Sequence, residues 1–439
     1  MLKVAIVNAV YPPEPVVSAY IGRDLALELA ENGARVTVLC PFPTRPYGAV
    51  YGEKAQRKAR VRGRNRESRG GKRCGIASGR RGDHALEVVR LDSFTAPESR
   101  LVSRMRESFS FGWHACRYLE QHLSDVDVIY ANTWPLFSQA LVARYCARRG
   151  IPLVLHIQDI YPESLLGRIP TIVRCIVSQY LTVLDRWTAR HATRVIVISE
   201  HMRQTYLEGR GIAPENVVTV RNWVDECRFA CLPSRGEACL RYRVPENKFT
   251  LLYLGNIGAA AGVELLIKAF HNARLKQAQL VIAGDGSARV ACVALAERMG
   301  AADVLFVSDP DASNVPLLQS LAHVFLLPLR KGNGMTSVPS KLMAYLLSAK
   351  PVLATVDTES DTARCILESQ CGWVGEPDNA QWLAGKMAEV SGISAEALVM
   401  IGMRGREYGL RHFSKAVRVK ELGEVVENAV NGRKSDVRG

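Results

Sequence analysis

Lys331, Thr336, Ser337, Val338 and Lys341 fall in one short stretch, LRKGNGMTSVPSKLMAYLL, whose residue types suit the holding of an anion. An apolar run, Val324 to Leu327, enters a polar, glycine-containing loop. A helix is expected to start between Ser337 and Ser340, and Lys350-Pro351-Val352 closes it and opens another strand. Such a β-loop-α-β unit gathers backbone N–H groups at the positive end of a helix, where a phosphate is stabilised. Ser337 or Val338 is expected at the cap, and Pro339 suits the first turn because its missing N–H has no bond to lose there. Lys331 and Lys341 add positive charge. The same pattern also describes a plain helix on a sheet with a solvated loop, and the remaining sequence has to decide between the two.

Two more loops of this kind follow apolar runs. Gly255-Asn256-Ile-Gly258 comes after Leu251 to Leu254, and Gly284-Asp-Gly286 comes after Leu280 to Ala283. Glycine at a strand end lets the backbone approach a phosphate or ring closely. Three such loops in one half of the chain point to a nucleotide. The other half places polar groups at equivalent edges: Glu14, then Asn132 and Thr133, then Gln158 and Asp159 in HIQDIYPES. Asp159 either contacts a substrate hydroxyl or caps the next helix, and the sequence leaves both open. His114, His156, His191 and His323 lie in apolar or helical patterns and read as structural. The chain has no Gly-x-Ser-x-Gly elbow, Walker loop or clustered histidines, which disfavours acyl transfer, P-loop chemistry and a metal site.

The elements that must position these loops alternate between strand and helix patterns. Lys3 to Asn8, Val17 to Asn32 and Arg35 to Cys40 open the chain as a β-α-β unit, and further strands are expected at Glu87, Val128, Leu153, Thr193 and Val217. Asp225 to Asn247 is irregular and reads as a linker, after which alternation restarts at Phe249. At 439 residues two domains are expected, 1–224 and 248–414, each a doubly wound α/β sheet, with a final helix over 415–431. Ligands of such sheets bind at the carboxyl ends of the strands, so a cleft between the halves is the expected site.

Eleven cysteines without metal-ligand spacing read as free thiols of a reducing, cytoplasmic setting, and no run of eighteen apolar residues suggests a membrane span. The net charge of +14 is concentrated: Lys54 to Asp83 carries twelve Lys or Arg against Glu67 and Asp83. That segment reads as a mobile basic insertion whose partner is an anionic lipid surface, a polyphosphate or nucleic acid, or as a merely solvated loop.

In this order the motifs resemble the retaining GT-B glycosyltransferases of family 4, within them the bacterial polysaccharide transferases. The resemblance rests on YPPEPVVSA, GARVTVLCPFPTRPYG, HIQDIYPES, VIVISEHMR, VRNWVD, LYLGNIGAAAGVELLIKAF, VIAGDG, SVPSKLMAYLLSAKPVLA and CGWVGEPDNAQWLA. It implies two Rossmann-like domains about a central cleft. The second is to hold a nucleotide-sugar through Gly255, Asn256, Gly258, Gly284, Gly286, Lys331, Thr336, Ser337, Val338 and Lys341. The first is to hold the acceptor near Glu14, Asn132 and Thr133, with Gln158 and Asp159 as catalytic candidates and a C-terminal helix crossing back onto it.

The match has gaps. The family's paired glutamates align with Thr336 and Ala344, and its diphosphate-binding Arg and Lys with Asn256 and Ala261; Arg330, Lys331 or Lys341 is expected to replace that charge. Gln158 takes a slot where many members have histidine. The implied activity is metal-independent, cofactor-free transfer of a sugar, with retention, to a lipid-diphosphate-linked saccharide at the cytoplasmic membrane face. There the basic segment and the amphipathic stretch Ile169 to Arg190 meet anionic lipid, and nucleic acid is not expected as a partner. The competing readings are a nucleotide-sugar 2-epimerase and a catalytically silent GT-B scaffold.

Overall fold

The computed structural model describes residues 1–14, 16–44, 72–75, 85–95, 101–132, 136–161, 163, 171–258, 261–309, 311–332 and 338–436. The chain divides into two compact units, Met1–Val220 with Val419–Gly439, and Arg221–Arg418.

In the first unit the apolar runs become β1 (Lys3–Asn8), β2 (Arg35–Pro41), β3 (Lys72–Gly75), β4 (Leu86–Leu91), β5 (Val128–Asn132), β6 (Leu153–His156), β7 (Arg194–Val197) and β8 (Val217–Thr219). They form one sheet in the order β3-β4-β2-β1-β5-β6-β7-β8. All neighbours are parallel except β3, which runs antiparallel to β4. Parallel neighbours need crossovers, supplied here by α1 (Val17–Glu31), α2 (Leu101–His122), α3 (Leu136–Arg149), α4 (Thr171–Arg190) and the short α5 (Glu200–Gln204). Strand order reverses at β1, between β2 and β5, and Asn8 pairs in register with Asn132 at the carboxyl ends there. Part of the expected mobile insertion over 54–83 is thereby corrected: Lys72–Gly75 is a strand, because β4 offers it an unpaired edge. The rest of that segment lies outside the described residues.

The second unit carries β9 (Phe249–Leu254), β10 (Ala278–Ala283), β11 (Val304–Val307), β12 (Val324–Pro328), β13 (Val352–Thr355) and β14 (Gly372–Gly375), all parallel, in the order β11-β10-β9-β12-β13-β14. Its helices are α6 (Arg235–Tyr242), α7 (Val263–Ala273), α8 (Arg289–Arg298), α9 (Val315–Ser320), α10 (Ser340–Leu347), α11 (Asp361–Ser369), α12 (Ala380–Ser391) and α13 (Ala395–Phe413). The sheet reverses at β9, between β10 and β12. The stretch 225–247, read as irregular, contains α6, capped by Ser234 Oγ accepting from Glu237 N at 3.2 Å, with Ala238, Cys239 and Val244 buried in this unit's core. The expected cap of α10 is likewise corrected. The helix starts at Ser340, Pro339 is the extended residue before it, and no side chain caps it.

The last helix, α14 (Lys415–Asp436), begins where Glu226 accepts from Ser414 Oγ at 2.7 Å and Lys415 N at 2.8 Å. From Val419 onward it belongs to the first unit. Val419, Leu422, Val426 and Ala429 form its buried stripe, and Gly423 lies against Glu28 and Leu29 of α1. Among the described residues no helix is long and apolar enough to cross a membrane.

The loop after β6, which carries HIQDIYPES, is fixed by one buried cation. Arg210 donates through Nε to Asp185 of α4 at 2.6 Å and through Nη2 to Tyr161 O at 2.8 Å and to both oxygens of Glu163 at 2.9 Å. Burial pushes the Asp185 carboxyl up to about 6 even though Arg210 and Tyr206 pull it down. Removing one partner strands the other charge in a dry setting. Arg210→Met is therefore expected to cost roughly 3–5 kcal/mol, read from the midpoint of urea unfolding.

Candidate functional site

At the reversal point of the second sheet, the loops after β9 and β10 are stacked so tightly that side chains are excluded. Gly255, Gly284 and Gly286 take φ of +151°, +135° and +152°. A Cβ on Gly284 would stand 2.1 Å from Gly255 O, one on Gly286 would stand 2.5 Å from Ile257 O, and one on Gly255 would meet Lys341 Cε at 2.5 Å. Gly255 N donates to Ala283 O at 2.9 Å and Ile257 N donates to Asp285 O at 2.8 Å, so the loop after β9 is laid along the loop after β10. Gly258 lies beside the Asn256 side chain.

Lys341, in the first turn of α10, reaches back into this stack. Its Nζ donates to Tyr253 Oη at 2.6 Å and stands 4.5 Å from the centre of the same ring, while Tyr253 Oη donates to Asn256 O at 2.6 Å. Tyr345, one turn on, clamps the end of β9: its hydroxyl accepts from Leu254 N and donates to Leu254 O, each at 2.9 Å, and its ring stacks on Phe325. Burial lowers the Lys341 pKa from 10.5 to about 8, and among the described residues no carboxylate pairs with the ammonium. A half-buried cation held on a phenol and a ring face, next to glycine loops at a strand switch point, has the charge and the position to meet an anion.

The other cations differ. Arg330 is paired with Glu264 of α7, and Lys331 is exposed in the turn after it. Val338 is buried in the core of this unit. Thr336 and Ser337 lie outside the described residues. Nothing in the sequence marked Tyr253, the partner that holds Lys341, because FTLLYL reads simply as a buried strand.

In the first unit the candidates gather at the ends of β1, β5 and β6. Glu14 is buried, with Oε1 accepting from Thr44 N at 2.9 Å and Oε2 from Tyr11 N at 3.3 Å; it ties two loops together. Asn8 packs its amide over Gly22, where a Cβ would come within 2.0 Å, and donates to Ser18 O at 3.3 Å. Asn8 Oδ1, Asn132 Nδ2 and Tyr11 Oη are buried without a hydrogen-bond partner among the described residues. Gln158 Nε2 donates to His156 Nε2 at 2.8 Å, which leaves His156 Nδ1–H to donate to Tyr130 Oη at 2.6 Å. Burial drops the His156 pKa to about 3, so the ring stays neutral at ordinary pH and orients Gln158. Asp159 is exposed and lies well before the start of α4. Thr133 lies outside the described residues.

Two family models match: a glycosyl transferase 4-like domain over residues 17–223 and glycosyl transferases group 1 over residues 241–432. The chain belongs to this family of GT-B glycosyltransferases. It is 27% identical over 216 residues to an Escherichia coli protein named colanic acid biosynthesis glycosyl transferase WcaI, a match covering 48% of this chain and 53% of that one. It is 24% identical over 276 residues to a Pseudomonas aeruginosa protein named glycosyltransferase WbjE, covering 62% and 68%. These matches span about half and about two thirds of the relatives' lengths. Among solved structures, Anabaena HepE in complex with UDP superposes with a TM-score of 0.68 at 16% identity, over 97% of this chain and 100% of that one.

The charge on Lys341 is expected to be visible in stability. Its folded pKa lies below the unfolded value, so between about pH 8 and 10.5 the unfolded chain binds more protons and stability rises with pH. Lys341→Met is expected to be more stable than the parent at pH 7, with the difference closing by pH 10.5, in melting curves taken across that range.

Proposed function

We propose that the chain transfers a sugar from a nucleotide-diphosphate donor, uridine-linked, to a lipid-diphosphate-linked saccharide in cell-surface polysaccharide synthesis, with retention of configuration. The observation that carries the reading is Lys341, a desolvated ammonium held on Tyr253 beside the stacked glycine loops and, among the described residues, without a carboxylate partner. A donor diphosphate is an anion of the size and charge such a site lacks. The UDP in the HepE structure and the colanic acid in the name of WcaI support the donor and the pathway class.

In this scheme the bond between the anomeric carbon and the phosphate oxygen breaks, and Lys341 with the backbone N–H groups at the start of α10 stabilises the charge left on the diphosphate. The acceptor hydroxyl bonds to the anomeric carbon on the same face and passes its proton to the departing phosphate oxygen. Gln158, fixed by His156 and Tyr130, and Asp159 are assigned to the sugar hydroxyls. Lys331, Thr336 and Ser337 remain assigned to the donor, Asn132 and Thr133 to the acceptor.

The membrane side of the reading has support in α4. Ile176, Tyr180, Val183 and Trp187, at i, i+4, i+7 and i+11, are 71%, 63%, 64% and 37% exposed, and Arg186 and Arg190 flank them. The one acid of that turn, Asp185, faces inward to Arg210. An exposed apolar stripe with arginines and aromatic residues suits an anionic bilayer surface, as does the basic segment 54–83.

Two measurements test the proposal. Lys341→Met is expected to raise the Kd for UDP roughly tenfold or more at pH 7, the loss of a charge-assisted hydrogen bond, with the gap narrowing above about pH 8 as the parent lysine deprotonates. Calorimetric titration giving equal affinities for parent and variant would remove Lys341 from the donor site. Ile176→Asp combined with Val183→Asp is expected to cut co-sedimentation with phosphatidylglycerol vesicles about tenfold; unchanged sedimentation would rule out α4 as the contact.

A further inference from the structure

The N-terminal halves of α2 and α3 follow the carboxyl ends of β4 and β5, so they lie at the edge of the first sheet where the acceptor candidates gather. At that place α2 turns apolar residues outward. Val102 and Phe109 are 67% and 53% exposed, and with Met105, Phe94 and Phe137 of α3 they line an open groove of about 560 Å³. Its volume lies in the range of small-ligand sites, about 300–1,000 Å³.

One cation stands in its wall. Arg106 is exposed, its guanidinium lies 4.4 Å over the Phe94 ring, and among the described residues no carboxylate pairs with it. The neighbouring acid, Glu107, is taken by Arg104 at 3.0 Å. The lining hydroxyl, Ser110 Oγ, accepts from Phe94 N at 2.8 Å. Phe94 also borders a small notch of about 30 Å³, lined by Glu14, Thr44, Ser93, Thr95 and Glu107 together with Ala9, Pro41 and Phe111, room for about one water or one hydroxyl. The trough and the notch thus share Phe94, and Arg106 stands in the wall of the trough. An amphiphile brings the matching groups: hydrocarbon for the trough and phosphate for the cation.

We propose that this groove holds the hydrocarbon segment next to the diphosphate of a prenyl-diphosphate-linked acceptor, with Arg106 pairing with a phosphate oxygen. The proposal rests on the acceptor class given above and adds the place where its lipid part binds. Phe94 and Phe109 contact the chain, and the stacking of Arg106 on Phe94 keeps the guanidinium at the mouth of the groove.

The test titrates the full chain with farnesyl diphosphate, farnesol and inorganic pyrophosphate, by calorimetry and by the fluorescence of the nearby Trp113, with UDP titrated in parallel. Farnesyl diphosphate is expected to saturate and to bind at least tenfold more tightly than farnesol or pyrophosphate. Phe109→Asp, at an exposed position that folding does not depend on, is expected to weaken farnesyl diphosphate at least tenfold, and Arg106→Ala to bring it near farnesol, both with UDP affinity unchanged. Absence of saturable binding, or a Phe109→Asp variant that binds farnesyl diphosphate as the parent does, would overturn the proposal. So would sedimentation showing a parent dimer that Phe109→Asp dissociates, since a second copy would then be the occupant. Failure of the parent to bind UDP counts against the donor reading alone; the groove is judged on the prenyl ligand.

Discussion

The ammonium of Lys341 is a charge kept partly out of water with a phenol and a ring face for company. Such a group is costly while nothing neutralises it. The surrounding structure is built to tolerate it: Tyr253 passes the polarisation on to Asn256 O, Tyr345 pins the end of β9, and the three glycines let two loops lie against each other and against the lysine's own methylene chain. Were the loops one Cβ further apart, the cation would face open solvent and lose its strength as an anion ligand. The close stacking and the unpaired charge are therefore two aspects of one arrangement.

The first unit solves a different problem. Its switch point holds amides, a phenol and a neutral imidazole instead of a net charge, and several of these polar atoms are buried. Glu14 is occupied with backbone N–H groups, so its carboxylate shapes the loops after β1 and β2. Groups of this kind can discriminate ligands by hydrogen-bond geometry. That suits the proposed transfer, in which the donor is held by its diphosphate and the acceptor reacts through a sugar hydroxyl.

Much of the fold was legible because parallel strands buried on both faces read as short apolar runs that stop abruptly at polar or glycine residues. Lys3 to Asn8, Gln279 to Ala283 and Val324 to Leu327 are cases in point. Helix α6 was missed because its buried residues, Ala238 and Cys239, are small and its flanks carry Pro233 and Pro245. The start of α10 falls inside the expected range at Ser340, but its cap was misplaced because Ser337 suits a cap and Pro339 a first turn, whereas Pro339 precedes the helix and no side chain caps it. At the site, the glycines and three candidate cations were visible, but which cation matters depends on partners distant in sequence: Glu264 removes Arg330 from contention, and Tyr253 holds Lys341. The groove on α2 was invisible for a related reason. Val102, Met105 and Phe109 have core-like helical spacing, and only the folded chain reveals that Val102 and Phe109 are exposed.

Strand β3 gives the basic insertion a second occupation. Lys72 and Arg73 belong to the outermost strand of an eight-stranded sheet, the position at which a flat, uncharged edge would recruit strands from other molecules. Trimming the whole segment to obtain a better-behaved protein would bare the rim of β4, whose LEVVRL is more apolar than the KRCG of β3. A shortened chain would be less cationic and, for that same reason, more prone to self-association.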